Sequence, residues 1–141
     1  MSYYIHFGSD KFDPERFCTV TNYLNKPKGG LWGSPVDSKE SWEHWCKKEE
    51  FALDRLSASF RFQLTPAARV CHLYTSKDII LLPILTHLFD TLVPDYEGML
   101  REGWDAVELH FTDSDAKLFQ MFRSWSCDSI LVLNPKVIMP L

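Results

Sequence analysis

One histidine and two carboxylates are the residues of this sequence whose types and positions could do chemistry. His6 ends an aromatic, β-branched segment just before a Gly8-Ser9 turn, where its ring nitrogens could hold a ligand hydroxyl or amide. A histidine that merely caps the turn fits the same pattern. Glu108 lies on the polar parity of an otherwise apolar segment, and Asp128 directly precedes an apolar run. Each carboxylate could face a ligand, or could be a solvated or turn-capping side chain.

A glycine-rich stretch with clustered tryptophans is the second feature. Gly29–Ser34 combines three glycines with Trp32, and Trp42 and Trp45 follow at helical spacing, so three of the five tryptophans lie within 14 residues. Glycine allows close backbone approach and the tryptophans supply flat rings, so we interpret the stretch as the wall of a pocket for a flat, polar group. The alternative is an ordinary core that packs its tryptophans around a loop.

Several classes of site are excluded or disfavoured. The sequence has no nucleophile-elbow, P-loop or zinc-protease motif, and its five histidines lack a metal spacing, so we expect no metal. The four scattered cysteines form no C-x-x-C pair, which favours free thiols in a reducing cytoplasm. A net charge of −4 disfavours a broad nucleic-acid surface. No apolar run approaches the roughly 20 residues of a membrane span, so we expect no membrane partner.

The elements that must position these residues indicate one domain over residues 1–141. Alternating or apolar segments predict about six strands, near residues 2–7, 31–33, 57–64, 68–75, 105–111 and 129–133. Helices are predicted from Asp37 or Ser38 to Phe51, at 77–89 with an interruption at Pro83, at 96–102, and at 113–125. We therefore expect an α+β fold with mostly antiparallel pairing, a split sheet core and flanking helices.

The order of these features resembles the ADP-ribosyltransferase-like superfamily. Ile5–Ser9 is similar to that family's first strand, in which a histidine precedes a Gly-Ser or Gly-Thr turn. Gly30–Ser34 with the following aromatic helix is similar to the second motif, and Ser129–Ile138 resembles the last strand, which ends in an Asp/Asn-Pro turn. One departure stands out, because Asp128-Ser129 occupies the position where the family has a glutamate.

The resemblance implies NAD as the cofactor and no metal. It assigns catalytic roles to His6 and to Glu108 or Asp128, in which a carboxylate stabilises an oxocarbenium-like ribose. It also implies a set of residues that bind the cofactor: Phe7, Gly8, Gly30, Leu31, Trp32, Ser34, Trp42 and Trp45.

Three functions follow as hypotheses. The first is a cytoplasmic mono-ADP-ribosyltransferase that modifies an unknown target protein, as an effector, a toxin or a phage-encoded modifier. The second, prompted by Asp128, is an inactive module of the same fold that binds a nucleotide or inhibits a protein. The third is a nucleotide- or RNA-modifying enzyme such as an NAD-using phosphotransferase, which the negative charge disfavours.

Overall fold

The described chain is organised around one seven-stranded sheet with helices on one side. The computed structural model describes residues 2–23, 26–38, 41–88, 91–111, 116–125 and 127–141. The strands are β1 (Tyr4–Phe7), β2 (Leu31–Pro35), β3 (Ser59–Leu64), β4 (Val70–Leu73), β5 (Ile84–Leu88), β6 (Thr91–Pro94), β7 (Ala106–Leu109), β8 (Ser129–Val132) and β9 (Ile138–Pro140). The α-helices are α1 (Trp42–Glu49), α2 (Tyr96–Arg101) and α3 (Ala116–Met121), and short 3₁₀ turns cover Pro14–Arg16, Leu53–Ser57, Ser76–Leu81, Arg123–Trp125 and Pro135–Val137.

The spatial order of the large sheet is β4-β7-β8-β2-β1-β3-β9, and β5 and β6 form a separate antiparallel hairpin. Only the β4–β7 pair is parallel among the described pairs of the large sheet. The expected α+β class with mostly antiparallel pairing is therefore confirmed. The strand count was too low, because β5, β6 and β9 were not recognised as strands.

The two faces of the sheet carry two separate cores. Residues in register on neighbouring strands share a face, so the pairings fix which side chains lie together. One face, here called the helix face, packs against α2 and α3 and includes Trp32, Val107, Leu109 and Leu131. The other, called the Tyr4 face, includes Tyr4, Phe60, Phe62, Ala106, Ile130 and Val132.

The segment around Pro83 corrects the sequence prediction. A helix was predicted over 77–89, but a 3₁₀ turn over Ser76–Leu81 is followed by β5. Proline disfavours helical dihedrals in the preceding residue, and Leu82 is indeed extended at φ −96° and ψ 133°. The N-cap of the turn is Thr75 rather than the predicted Ser76. The predicted end of the helix, Phe89, lies outside the described residues.

The other helices are closer to expectation. Helix α1 begins later than predicted, because Ser41 is its N-cap in place of Asp37 or Ser38. Helix α2 matches the predicted segment 96–102. The predicted helix 113–125 is shorter, with α3 followed by a 3₁₀ turn, and its start lies outside the described residues. Its predicted core stripe is buried as expected: Leu118, Met121, Phe122 and Trp125.

Candidate functional site

A pocket of about 110 Å³ opens on the helix face where β1, β2 and β8 lie side by side. Its walls combine indole rings, aliphatic and phenyl groups, two hydroxyls and one lysine. The lining residues are Ile5, Phe7, Lys26, Trp32, Gly33, Ser34, Trp42, Trp125 and Ser129.

The tryptophans of the pocket are held by contacts behind them. Trp125 is buried, and its ring meets Trp32 edge-on with 4.8 Å between centroids. The indole N–H of Trp125 donates to the hydroxyl of Tyr96 at 3.3 Å. Trp42 is backed by Trp45, which stacks on it at 5.2 Å and 17°. These contacts define the orientation of the aromatic rings that wall the pocket.

The start of α1 is tied directly to β2. Ser41 caps the helix by accepting the His44 N–H at 3.2 Å, and the Trp42 N–H donates to Ser34 Oγ at 3.0 Å. This second bond holds Trp42 over the pocket. Ser34 is completely buried, and a hydroxyl that accepts one bond retains a proton for a second partner.

Lys26 brings positive charge to the pocket. Its Nζ lies 4.9 Å from the centre of the Trp32 ring, a cation–π arrangement that favours a cation over the indole face. Burial lowers the pKa of Lys26, and an electrostatic interaction with nearby Cys127 partly opposes that shift. Lys26 therefore lies where it could contact either an aromatic ring or an anionic group of a ligand.

Half of the residues predicted to contact a cofactor line this pocket: Phe7, Trp32, Ser34 and Trp42. The other four do not. Leu31 belongs to the core of the Tyr4 face, and Trp45 lies behind Trp42. Gly8 has φ +117° and donates its N–H to the Ala58 carbonyl.

Gly30 shows why the glycine pair before β2 is structural. It has φ +71°, and a Cβ there would lie 2.6 Å from Leu131 Cδ1. Its N–H donates to the carbonyl of Cys18 at 2.8 Å. This glycine therefore permits a tight backbone approach between protein segments.

His6 lies on the Tyr4 face and does not line the pocket. Its Nδ1 is 2.6 Å from the carbonyl oxygen of Trp32, and its ring packs 5.1 Å from that of Phe60. Burial lowers the pKa of His6, and the hydrogen bond to Trp32 partly opposes that shift. The neutral imidazole is therefore favoured, with its Nδ1 proton donated to a neighbouring strand.

Glu108 also lies on the Tyr4 face, where it is buried rather than solvated. The Tyr4 hydroxyl donates to Oε1, and Oε2 lies 2.7 Å from His110 Nε2 and 3.5 Å from His72 Nδ1. Burial alone would raise the pKa of Glu108, but the contacts with His110, His72 and Tyr4 lower it to about 2. Glu108 is thus a charged carboxylate inside a polar cluster, with the sheet between it and the pocket.

Asp128 does not line the pocket, although Ser129, the next residue, does. Its buried carboxylate accepts the Phe111 N–H at 2.6 Å and the Ser38 hydroxyl at 3.1 Å. Asp128 therefore joins the loop after β2 to the ends of β7 and β8. The structure does not gather His6, Glu108 and Asp128 around one point.

Sequence reasoning did not single out His72, His110 or Tyr4 as a group. The parity of β7 carried part of the signal, because Glu108 and His110 both fall opposite its apolar residues. Only the parallel pairing of β4 with β7 brings His72 beside Glu108. Tyr4 comes from a strand about a hundred residues earlier and had no local signal.

Comparison of this chain with protein families, with curated proteins and with solved structures finds no match. None of the described helices has the length and apolar character that crossing a membrane requires.

Proposed function

We propose that the helix-face pocket binds the nicotinamide end of NAD, and that the protein is an ADP-ribosyltransferase-like enzyme that modifies a macromolecule of the cell. The observation that carries the proposal is the pocket between β1, β2 and α1, whose walls include Trp32 and Trp42 and whose floor includes Ser34. These elements are the ones that resemble the nicotinamide-binding motifs of that superfamily.

The size and chemistry of the pocket suit one planar ring. Engineered apolar cavities of about 150 Å³ hold one benzene ring, so a pocket of about 110 Å³ that is open to solvent can take at most one planar ring, part of which would lie at its mouth, and cannot hold a dinucleotide. The electron-rich indole faces favour a cationic ring such as the nicotinamide of NAD. The rest of the dinucleotide would lie outside, where Lys26 can pair with its phosphates.

Asp128, which directly precedes the pocket residue Ser129, is the carboxylate that we assign to the reaction. Cleavage of the nicotinamide–ribose bond develops positive charge on the ribose, and Asp128 beside Ser129 would stabilise it. Its two hydrogen bonds, from the Phe111 N–H and the Ser38 hydroxyl, fix its direction. Glu108 faces the opposite side of the sheet and has no part in this assignment.

A second candidate function is a binding module without catalysis. The specific observation in its favour is that the side chains of His6 and Glu108 belong to the Tyr4 face, away from the pocket. Such a module would bind the nucleotide, or a protein through its aromatic surface, without releasing nicotinamide.

The test is a thermal melt with millimolar NAD, tryptophan fluorescence, and an assay of free nicotinamide in the same samples, with and without cell extract as a source of acceptor. A ligand at about 100 times its dissociation constant adds roughly 2.7 kcal/mol, which raises Tm by several degrees in a domain of this size. We expect Trp42→Phe to weaken NAD binding more than the matched control Trp45→Phe. Of these two stacked tryptophans, Trp42 lines the pocket and Trp45 does not.

Catalysis is tested separately. We expect Asp128→Asn to keep the NAD-dependent Tm shift and lose nicotinamide release. Binding without release in the wild type, even with extract, would favour the module. If millimolar NAD changes neither Tm nor fluorescence, the proposed ligand is wrong.

A further inference from the structure

A cluster of two histidines and one glutamate lies on the Tyr4 face at the β4–β7 edge of the sheet. His72 and Glu108 are direct neighbours in the parallel pair, and His110 follows Glu108 by two residues at the end of β7. One ligand-type atom from each of the three lies within 4.8 Å of the other two. The arrangement is independent of the helix-face pocket, because the sheet separates them.

The carboxylate is held so that one oxygen faces both imidazoles. The Tyr4 hydroxyl donates to Oε1, which leaves Oε2 at 2.7 Å from His110 Nε2 and 3.5 Å from His72 Nδ1. Orientation of a ligating carboxylate by an outer hydrogen-bond donor is a recurring property of protein metal sites. Tyr4 would serve as the positioning residue here.

His110 adds an independent observation. Its Nε2 is buried, yet it has no hydrogen-bond partner among the described residues, despite its short contact with Glu108. Nε2 and the Glu108 oxygen therefore converge without a well-aligned hydrogen bond between them, as two ligand atoms of one ion would. The Tyr74 ring stacks parallel to the His110 ring at 4.3 Å and holds it in this orientation.

We propose that His72 Nδ1, Glu108 Oε2 and His110 Nε2 bind one divalent transition-metal ion of the zinc type. Imidazole and carboxylate ligands suit Zn²⁺ and Co²⁺, and three protein ligands leave a further position for water or a substrate atom. The His72 side chain is 44% exposed, which provides a route from solvent to that position.

The distances require a small adjustment. Two ligand atoms each about 2.1 Å from one tetrahedral zinc ion are about 3.4 Å apart. The Glu108–His72 separation of 3.5 Å already agrees with this value, but the Glu108–His110 separation of 2.7 Å is about 0.7 Å too short, so the Glu108 or His110 side chain must shift when an ion binds. Because His72 is partly exposed, rotation of its side chain can bring the third pair of atoms into range.

The test uses the full chain without a histidine tag, in a Cys18→Ser background that removes the exposed thiol. After treatment with a chelator, Zn²⁺ is titrated by calorimetry, and Co²⁺ is used as a probe because its visible absorption reports the ligand geometry. We expect one ion per chain, a higher Tm with Zn²⁺, and a Co²⁺ spectrum typical of nitrogen and oxygen ligands.

Variants identify the site. We expect His72→Gln to lower the Zn²⁺ affinity at least tenfold, while the control His44→Gln, an exposed histidine on α1, leaves it unchanged. His72→Gln should fold because its side chain is partly exposed, and circular dichroism checks this. The proposal is overturned if the wild type binds neither ion at micromolar concentration, or if folded His72→Gln binds as tightly as the wild type.

Discussion

Gly33, at the centre of β2, is a position where a single added methyl group should disturb the packing of the sheet. A Cβ at Gly33 would lie 2.9 Å from Phe62 Cζ and 3.0 Å from Phe62 Cε1, and 3.3 Å from the Ile5 carbonyl oxygen. Favourable carbon–carbon contacts are about 3.5–4.0 Å, so the ring must move by several tenths of an ångström. Phe62 is completely buried, and its ring stacks on that of Tyr4 with 5.5 Å between centroids. Any movement of the Phe62 ring therefore displaces other core side chains.

The expected cost of Gly33→Ala follows from these contacts. Overpacking a core costs typically about 1–3 kcal/mol, and the reduced entropy of the unfolded chain offsets roughly 0.4–1 kcal/mol. The backbone of Gly33 is outside the left-handed region, unlike that of Gly30, so dihedral strain adds nothing. We expect a net loss of about 1–2 kcal/mol in the free energy of unfolding, or a Tm lower by roughly 4–8 °C.

Urea unfolding monitored by circular dichroism measures this loss, and a double-mutant cycle identifies its source. Phe62→Leu removes the two ring atoms that the new methyl group would meet. Gly33→Ala should therefore cost much less in the Phe62→Leu background, with a coupling energy of about 1 kcal/mol or more. Equal costs in the two backgrounds would refute the packing argument, and no cost in the wild type would refute the clash itself.

Three further predictions concern a helix cap, a set of thiols and a buried imidazole. Ser41→Ala should lower the free energy of unfolding by about 1 kcal/mol in a urea titration, because it removes the N-cap of α1, and Ser41→Asp should restore it. Only Cys18 of the four cysteines is exposed, and burial raises the pKa of Cys127 to about 11. Alkylation at pH 8, followed by mass spectrometry, should therefore modify one thiol per native chain and four thiols per chain in urea. Labelling of Cys127 faster than Cys18 in the native chain would contradict the burial of Cys127. Burial lowers the pKa of His6 below 6.5 despite its bond to the Trp32 carbonyl, so the stability it contributes is present above pH 6.5 and is lost as the pH falls through the folded-state pKa. The free energy of unfolding between pH 7.5 and 5 should then fall more steeply for the wild type than for His6→Gln, and parallel profiles would rule out this linkage.

The tryptophans of the pocket show how much of the site the local sequence pattern could predict. Trp42 and Trp45 were predicted to share one face of a helix, and they stack on each other, yet only Trp42 lines the pocket. Periodicity gives the side of a helix on which a residue lies, but it does not give the depth to which each residue is covered. The hydrogen bond from Trp42 to Ser34 decides that depth, and it joins two elements whose relative position is tertiary.

The segment around Pro83 shows what a sequence pattern cannot predict next to a helix-breaking proline. The apolar residues on either side fit a kinked helix as well as a 3₁₀ turn followed by a strand. Proline excludes a regular helix at that point but does not select its replacement. The antiparallel pairing of β5 with β6 selects it, and that pairing depends on a partner segment further along the chain.

The sequence by itself determined which residues alternate and which are apolar, because burial of one face imposes a period on every strand. It therefore predicted the α+β class, the buried stripe after residue 115, and the placement of Glu108 and His110 on the side of β7 opposite its apolar residues. Only the tertiary structure decided which residues contact Glu108 and His110 on that side of β7. Parallel pairing of β4 with β7 brings His72 beside Glu108, and the order of the strands brings the Tyr4 hydroxyl within hydrogen-bonding distance of Glu108. Contacts between such distant segments depend on topology, and the periodicity of the sequence does not encode them.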